Sequence, residues 1–383
     1  MEQEGSGTDI ESDVAVVGAG PAGLATSYEL SRRKIDHVVL ERGDQVGAVW
    51  ANLYDSLTLH TGRHMSRLPG LKFPPGTPLF VPRDQFVSYL RRYAVQFRVP
   101  VRTRTEVTRL DRGDAKWFLT TTTGVVRARC VVLATGIVSK PRVPDIPGKS
   151  SFKGVLLHSS EYRRPADVAG DRVLVLGVGN SGSEIATELA SAGRGVDLAV
   201  RSGAHVVPRD LLGIPVQYLS YWLRKLPRSV QARVVSTLQK IIERRRGPSP
   251  LPRPSFGALD AIPVIGFGLV EEIRAGRVRV RPGVAAFTPD GALFTDGEGG
   301  PYDAVVFATG YTPALSFCSH LLRLDSKGFA HRSDRVTSSD HPGLWFVGHN
   351  YDALGGLANI VRDASLVGNA VSAALSSDRA FSN

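Results

Sequence analysis

Two short glycine-rich turns carry the first chemistry that can be read in this sequence. Gly18-Ala19-Gly20-Pro21-Ala22-Gly23 and Gly177-Val178-Gly179-Asn180-Ser181-Gly182 both fit GxGxxG. In such a turn the first glycine permits a tight bend and the second lets backbone approach a pyrophosphate. The third lets the following helix pack closely on its strand. The helix N-terminus then offers free N–H groups and a partial positive charge to the anion. Beyond the first turn, Glu41 closes the next apolar run, close to the ~20-residue distance at which a carboxylate accepts hydrogen bonds from ribose hydroxyls. Beyond the second, the corresponding run ends in Val200-Arg201-Ser202, with Arg in place of an acid, while Asp197 lies too early to fill that role. A guanidinium there meets a 2′-phosphate, which NADP carries and NAD lacks. The first turn is therefore read as an FAD site and the second as an NADP site, with Arg201 and Ser202 at the phosphate. Arg42 is either a ribose or phosphate neighbour or a plain surface charge.

These turns require particular elements around them. Each follows an apolar run, Asp13-Val14-Ala15-Val16-Val17 or Arg172-Val173-Leu174-Val175-Leu176, and each opens an Ala-rich helical pattern, at about 22–33 and 181–192. A second strand follows each helix, at 37–41 and 196–201. A second duplicated element is a strand ending in Ala-Thr-Gly. It occurs as Cys130–Gly136, with Ala134, Thr135 and Gly136, and as 304–310, with Ala308, Thr309 and Gly310. Both triplets are counted with the cofactor-binding residues. Each follows a meander-like stretch, 101–126 and 277–301. The expected fold is α/β, with two Rossmann-like dinucleotide-binding domains of the three-layer ββα type, one inserted into the other. Residues 1–143 and 303–383 are expected to form the FAD domain. Residues 166–302 form the NADP domain, with a helical insertion at 211–270, and 144–165 are the linker.

Composition narrows the classes. The chain has 383 residues with 42% hydrophobic and 22% charged content, ordinary for a globular protein and incompatible with wholesale disorder. The formal net charge is +11, which suits anionic partners such as phosphorylated cofactors or acidic membranes. No zinc-ligand spacing, RNP-type motif or basic heptad region occurs, so neither a metal nor nucleic acid is expected. Cys130 and Cys318 form no CxxC pair, which removes a dithiol redox centre. Met1–Ser12 is acidic and polar without an apolar core, and no run reaches transmembrane length, so a cytoplasmic setting is expected. The stretch 218–246 places Leu219, Trp222, Leu226, Val230, Val234, Leu238 and Ile241 at helical spacing, opposite Arg224, Lys225, Arg228, Arg233, Lys240 and Arg244-Arg245-Arg246. It reads as a lid over a substrate tunnel, a membrane-surface helix or an oligomer contact, and its place inside the NADP domain favours the lid.

Two dinucleotides in one chain imply hydride traffic from NADPH to flavin and on to an acceptor. Between the glycine turns, Phe152, Gly154, His158 and Tyr162 fit FxGxxxHxxxY. Here the chain resembles the class B flavin-containing monooxygenases, most closely the plant YUCCA type and its bacterial relatives. The glycine turns, Gly47 to Trp50, Tyr54-Asp55-Ser56-Leu57-Thr58-Leu59-His60 and Ala308-Thr309-Gly310-Tyr311 support the match, which spans about 13–368. The resemblance implies an NADPH- and oxygen-dependent monooxygenase that works through a flavin (hydro)peroxide on a small organic substrate. For the YUCCA type this is an aryl 2-oxo acid such as indole-3-pyruvate. N- or S-oxygenation, Baeyer–Villiger oxidation and uncoupled NADPH oxidation are the rival activities; Tyr162 stands where Baeyer–Villiger fingerprints end in Trp.

The resemblance also assigns residues. His60 falls where animal-type members carry an Asn facing the flavin and where YUCCA-type members carry His. It is expected to donate a hydrogen bond to the flavin, or else to pack on Trp50. His158 is read as a proton-transfer residue or as a linker histidine that holds two domains in register. Gly47 and Trp50 line the flavin pocket, Val107 supplies backbone contacts to adenine, and Leu357, in the Gly355–Asn359 turn, faces the flavin pyrimidine ring. Gly348-His349-Asn350 departs from the Gly-Asp that many such enzymes place near the ribityl chain.

Overall fold

The computed structural model describes residues 9–211, 213–352 and 355–381. Most of the acidic N-terminal segment, residues 1–8, thus lies outside the described residues. The chain divides into two compact units, one of Met1–Ala51, Thr61–Lys140 and Tyr311–Asn383, the other of Asn52–His60 and Pro141–Gly310.

In the first unit, Ile10–Val17 pairs in parallel with His37–Leu40 on one side and Gly124–Leu133 on the other, and Val101–Arg102 extends the sheet beyond His37–Leu40. Val14, Ala15 and Val16 are completely buried, as expected of parallel strands covered on both faces. The long strand Gly124–Leu133 serves two neighbours on its far edge. Its start pairs antiparallel with Trp117–Thr121, which pairs in turn with Val107–Arg112, and its end pairs in parallel with Leu344–Phe346. The helices Pro21–Arg32 and Gly356–Phe381 pack together. A core built on Trp117, Leu119, Leu133, Phe346 and Cys318 joins the parallel sheet to the meander.

The second unit repeats the plan. Its five strands are all parallel, in the order Val155–His158, Ala304–Phe307, Arg172–Leu176, Gly195–Ala199, Val278–Arg281. Helices Asn180–Ser191 and Gly268–Arg274 contribute Ile185, Leu189 and Leu269 to one core. The meander Val284–Thr288, Gly291–Phe294, Gly299–Pro301 contributes Phe287 and Phe294 to the other, with Phe152 and Phe307. The chain is therefore α/β with two Rossmann-like units of three layers each.

The second unit takes more chain than expected. Ala304–Phe307 is not a strand of the first unit but lies inside the second sheet, and Val155–His158, expected in a linker, is that sheet's edge strand. The reason is local. Each strand leading into Ala-Thr-Gly pairs with the strand that precedes its own glycine turn, so each half completes its own sheet. The expected single helix at 218–246 is two, Val216–Leu223 and Arg228–Arg246. Pro227 separates them because its ring removes an N–H donor and clashes with the preceding turn. Cys130 and Cys318 are free and buried. Among the described residues no helix is long and apolar enough to cross a membrane, and no His/Cys/Asp/Glu group is placed to hold a metal ion.

Candidate functional site

The two glycine turns are built alike. Gly18 sits at φ +106° and Gly177 at φ +105°, backbone that favours glycine. A Cβ on Gly18 would lie 2.6 Å from the Ala134 carbonyl oxygen, and one on Gly177 would lie 2.6 Å from that of Ala308. A Cβ on Gly23 would come within 1.8 Å of the Gly18 carbonyl oxygen, and one on Gly182 within 2.0 Å of the Gly177 oxygen. Packing alone thus demands the first and third glycines. The middle ones differ: a Cβ on Gly20 or Gly179 would meet nothing within 4 Å. Each is the N-cap of its helix, in extended backbone, with no side chain capping it. The space each leaves open lies over uncapped helix N–H groups and suits a pyrophosphate. In the first unit Thr135 also holds a buried hydroxyl without a protein partner. The residues present fit an FAD in the first cradle and a nicotinamide dinucleotide in the second.

Around the first cradle, Glu41 is buried. Its Oε2 accepts from the Ala19 N–H at 2.7 Å and its Oε1 from the Gly43 N–H at 2.8 Å. The carboxylate expected at the ribose therefore also braces the turn, and each oxygen retains accepting capacity. Gly47, at φ +70°, donates its N–H to the Ala19 carbonyl at 3.0 Å. Pro21 and Ala22 form the buried first turn of the helix. Trp50 presents its ring edge to Phe86 at 4.7 Å, Arg42 is exposed, Val107 opens the meander and Leu357 is buried in the first turn of the C-terminal helix. Gly136, at φ +73°, closes the first Ala-Thr-Gly turn.

Around the second cradle, Asn180 does more than open a helix. Its Nδ2 donates to the Pro263 carbonyl at 3.2 Å and its Oδ1 accepts from the Ile265 N–H at 2.8 Å. It ties the far end of the insertion to the glycine turn, while Ser181 is half-buried beside it. Arg201 and Ser202 are exposed just past the strand Gly195–Ala199. Arg201 forms no hydrogen bond or ion pair with a described residue, whereas Arg279 and Arg281 are both locked on Asp197, at 2.9 and 3.1 Å, with the Tyr302 hydroxyl at 2.6 Å. Burial opposes ionisation of Asp197, but hydrogen bonds from Arg279, Tyr302 and Arg281 win and hold its carboxyl below the usual range. Asp197 is thus held by partners of its own, and Arg201 has none among the described residues.

Each fixed residue of FxGxxxHxxxY has a packing or bonding task within the second unit. The Phe152 ring meets Phe287 at 5.7 Å. A Cβ on Gly154 would lie 2.6 Å from the Asp303 carbonyl oxygen. His158 is buried; the Ser160 N–H donates to its Nδ1 at 3.1 Å, and its Nε2 lies 3.0 Å from the Gly310 carbonyl. Nδ1 is thus the acceptor and Nε2 carries the proton, as assigned from these partners. Burial holds the imidazole below its ordinary pKa. Through Gly310 it anchors the second Ala-Thr-Gly turn, where Thr309 also donates to the Arg142 carbonyl. The Tyr162 hydroxyl donates to Glu188 at 3.0 Å.

His60 lies in the second unit and bonds within it. Its Nε2 lies 2.6 Å from Glu184 Oε1, and the Tyr54 hydroxyl donates to the other oxygen of the same carboxylate. The Ser56 hydroxyl donates to Glu188 at 2.9 Å, and Asp55 pairs with Arg163 at 3.2 Å. Arg209, half-buried, donates to the Leu59 carbonyl at 3.1 Å. The segment Asn52–His60 is therefore strapped to the helix that begins at the second glycine turn, and the ring of His60 faces Glu184. Sequence reasoning passed over Glu184 and Glu188. Their signal was available: two acids four residues apart share one face of a helix.

A family model described as pyridine nucleotide-disulphide oxidoreductase matches residues 15–243. The chain is 36% identical over 307 residues to the indole-3-pyruvate monooxygenase YUCCA1 of Oryza sativa subsp. japonica, covering 77% of this chain and 76% of that one. It is 34% identical over 379 residues to YUCCA4 of the same species, covering 91% and 86%. Among solved structures, the flavin-containing monooxygenase from Stenotrophomonas maltophilia superposes with a TM-score of 0.74 at 25% identity, covering 96% of this chain and 99% of that one. Cyclohexanone monooxygenase shares the fold, with a TM-score of 0.69 at 19% identity over 94% and 88% of the two chains. The matches extend through both nucleotide units, and the chain belongs to the flavin-containing monooxygenases, with the YUCCA type among its relatives.

Proposed function

We propose that this monooxygenase acts on an aryl 2-oxo acid of the indole-3-pyruvate kind and converts it to the corresponding acetic acid. Its cofactors are FAD and NADPH, with oxygen as co-substrate. The observation that carries the reading is identity of about one third, over most of both chains, to relatives named for indole-3-pyruvate. Bound flavin supplies the redox chemistry and oxygen activation. The protein's part is to bind, orient and brace. The open middle glycines admit two pyrophosphates, Glu41 fixes the first turn, Asn180 fixes the second, and His158 holds the second Ala-Thr-Gly turn. Arg201, unpaired at the strand end, faces the 2′-phosphate that selects NADPH over NADH.

The balanced reaction takes 2-oxo acid, oxygen, NADPH and a proton to the carboxylic acid shortened by one carbon, carbon dioxide, NADP and water. Under labelled oxygen the product acid is expected to carry one heavy oxygen atom, and NADPH consumption should match product formation. Consumption that yields hydrogen peroxide in full amount, whatever 2-oxo acid is added, would overturn the reading. Arg201→Ala should raise the KM for NADPH by roughly tenfold or more, the loss of a charge-assisted bond worth about 1.5–3 kcal/mol, and leave the KM for NADH nearly unchanged. Equal rises for the two nucleotides would remove Arg201 from the phosphate.

A further inference from the structure

We infer that the hairpin Val216–Leu223 / Arg228–Arg246 is an anionic-membrane docking surface, through which the enzyme sits on a lipid bilayer without crossing it. Residues 216–246 hold eight Lys and Arg against the single acid Glu243, a net +7 within a chain of +11. Only Arg228 and Arg246 have acidic partners among the described residues, Asp260 and Glu271. Arg224, Arg233, Lys240, Arg244 and Arg245 have none. Most of the protein's charge excess is therefore gathered on these two helices, and the five unpaired cations complement a negative surface.

Charge alone would serve any polyanion. The apolar residues between the charges select lipid. No residue of Arg228–Arg246 is buried. One face, with Val234, Val235, Leu238 and Ile242, is half-covered, and Gln239 on that face donates to His205 at 3.1 Å. At the margin of that face Val230 and Ile241 are exposed, and the shorter helix and its turn add Tyr221, Trp222 and Leu226, also exposed. Trp222 is 64% exposed, with the Lys225 ammonium 4.3 Å from its ring centroid. Large aliphatic and aromatic side chains held out in water beside unpaired cations match a helix lying in the headgroup region. There the rings and aliphatic chains enter the acyl boundary and the cations meet the lipid phosphates.

The test uses the full-length holoenzyme with sedimented vesicles, either pure phosphatidylcholine or phosphatidylcholine with one quarter phosphatidylglycerol. Strong binding is expected only to the mixed vesicles and should fall as salt rises. Arg244→Glu/Arg245→Glu should weaken it at least tenfold, at about fivefold per basic residue removed. Trp222→Ser/Leu226→Ser should weaken it independently of salt. Flavin content and circular dichroism should match the parent in both variants. Equal binding by the variants, or none by the parent, overturns the inference. So does a dimer in light scattering that Trp222→Ser/Leu226→Ser dissolves, or tighter binding to a DNA duplex than to the mixed vesicles.

Discussion

Gly20→Val is expected to yield a folded chain that purifies without flavin, and Gly179→Val one that keeps its flavin and no longer takes NADPH. Both positions are extended backbone, with φ −78° at Gly20 and −74° at Gly179, so a β-branched residue fits without strain. Neither Cβ has a protein neighbour within 4 Å, so folding stability should change little. Only a bound pyrophosphate would meet the new methyl groups. Forcing such overlap costs ~1–3 kcal/mol, which at its upper end is about a hundredfold in affinity. The flavin-to-protein absorbance ratio and nucleotide titration read the two effects separately. Gly23→Ala and Gly182→Ala form the contrast. Their methyls would lie 1.8 and 2.0 Å from backbone oxygen, so these variants should lose their fold, seen as insolubility or a collapsed melting transition. Stoichiometric flavin on Gly20→Val would show that the pyrophosphate does not pass over this glycine.

His349→Phe is expected to raise the melting temperature and flatten the acid side of the stability curve. His349 is enclosed, with both ring nitrogens lacking a hydrogen-bond partner among the described residues. It packs edge-on against Phe346 at 5.2 Å and Phe329 at 6.4 Å. Burial first, and the Arg332 charge second, push its pKa down to about 3. An unfolded chain regains the ordinary value near 6.5 and takes up a proton that the folded chain refuses. Stability is therefore complete above about pH 6.5 and falls as pH drops toward 3, by up to ~1.4 kcal/mol per pH unit from this one group. Phe fills the same aromatic enclosure and ends both the proton linkage and the cost of two unbonded nitrogens, about 1–3 kcal/mol. Thermal melts at pH 7.5 and 5 measure both parts. An unchanged difference between the two pH values would assign the acid sensitivity to other groups.

The parts of the site that were legible without coordinates are those whose cause is local. A glycine forced by a turn, a valine run forced by burial on both faces and an Arg in place of an acid at a strand end each follow from neighbours in the chain. Gly18, Gly23, Gly177 and Gly182 prove to be required for the steric reasons their spacing implied. Arg201 follows a strand whose one acid, Asp197, lies four residues earlier, and Asp197 is held by Arg279, Arg281 and Tyr302. Only the second half of that explanation needed the fold. The break at Pro227 was also legible, since proline stops a helix from within, yet the unbroken apolar periodicity obscured it.

The sequence by itself determined the two nucleotide folds, the cofactors and the chemical family, because glycine turns and parallel strands are specified by residues a few positions apart. Tertiary structure alone decided which partner each titratable group takes. His60 meets Glu184 across 124 residues of chain, His158 meets Gly310 across 152, and Tyr54 and Tyr162 meet the two acids of one helix face. Hydrogen bonds between such distant residues depend on how the sheets and helices stack. No local pattern encodes that stacking, so the partners of the histidines could not be read until the strands that carry them were in place.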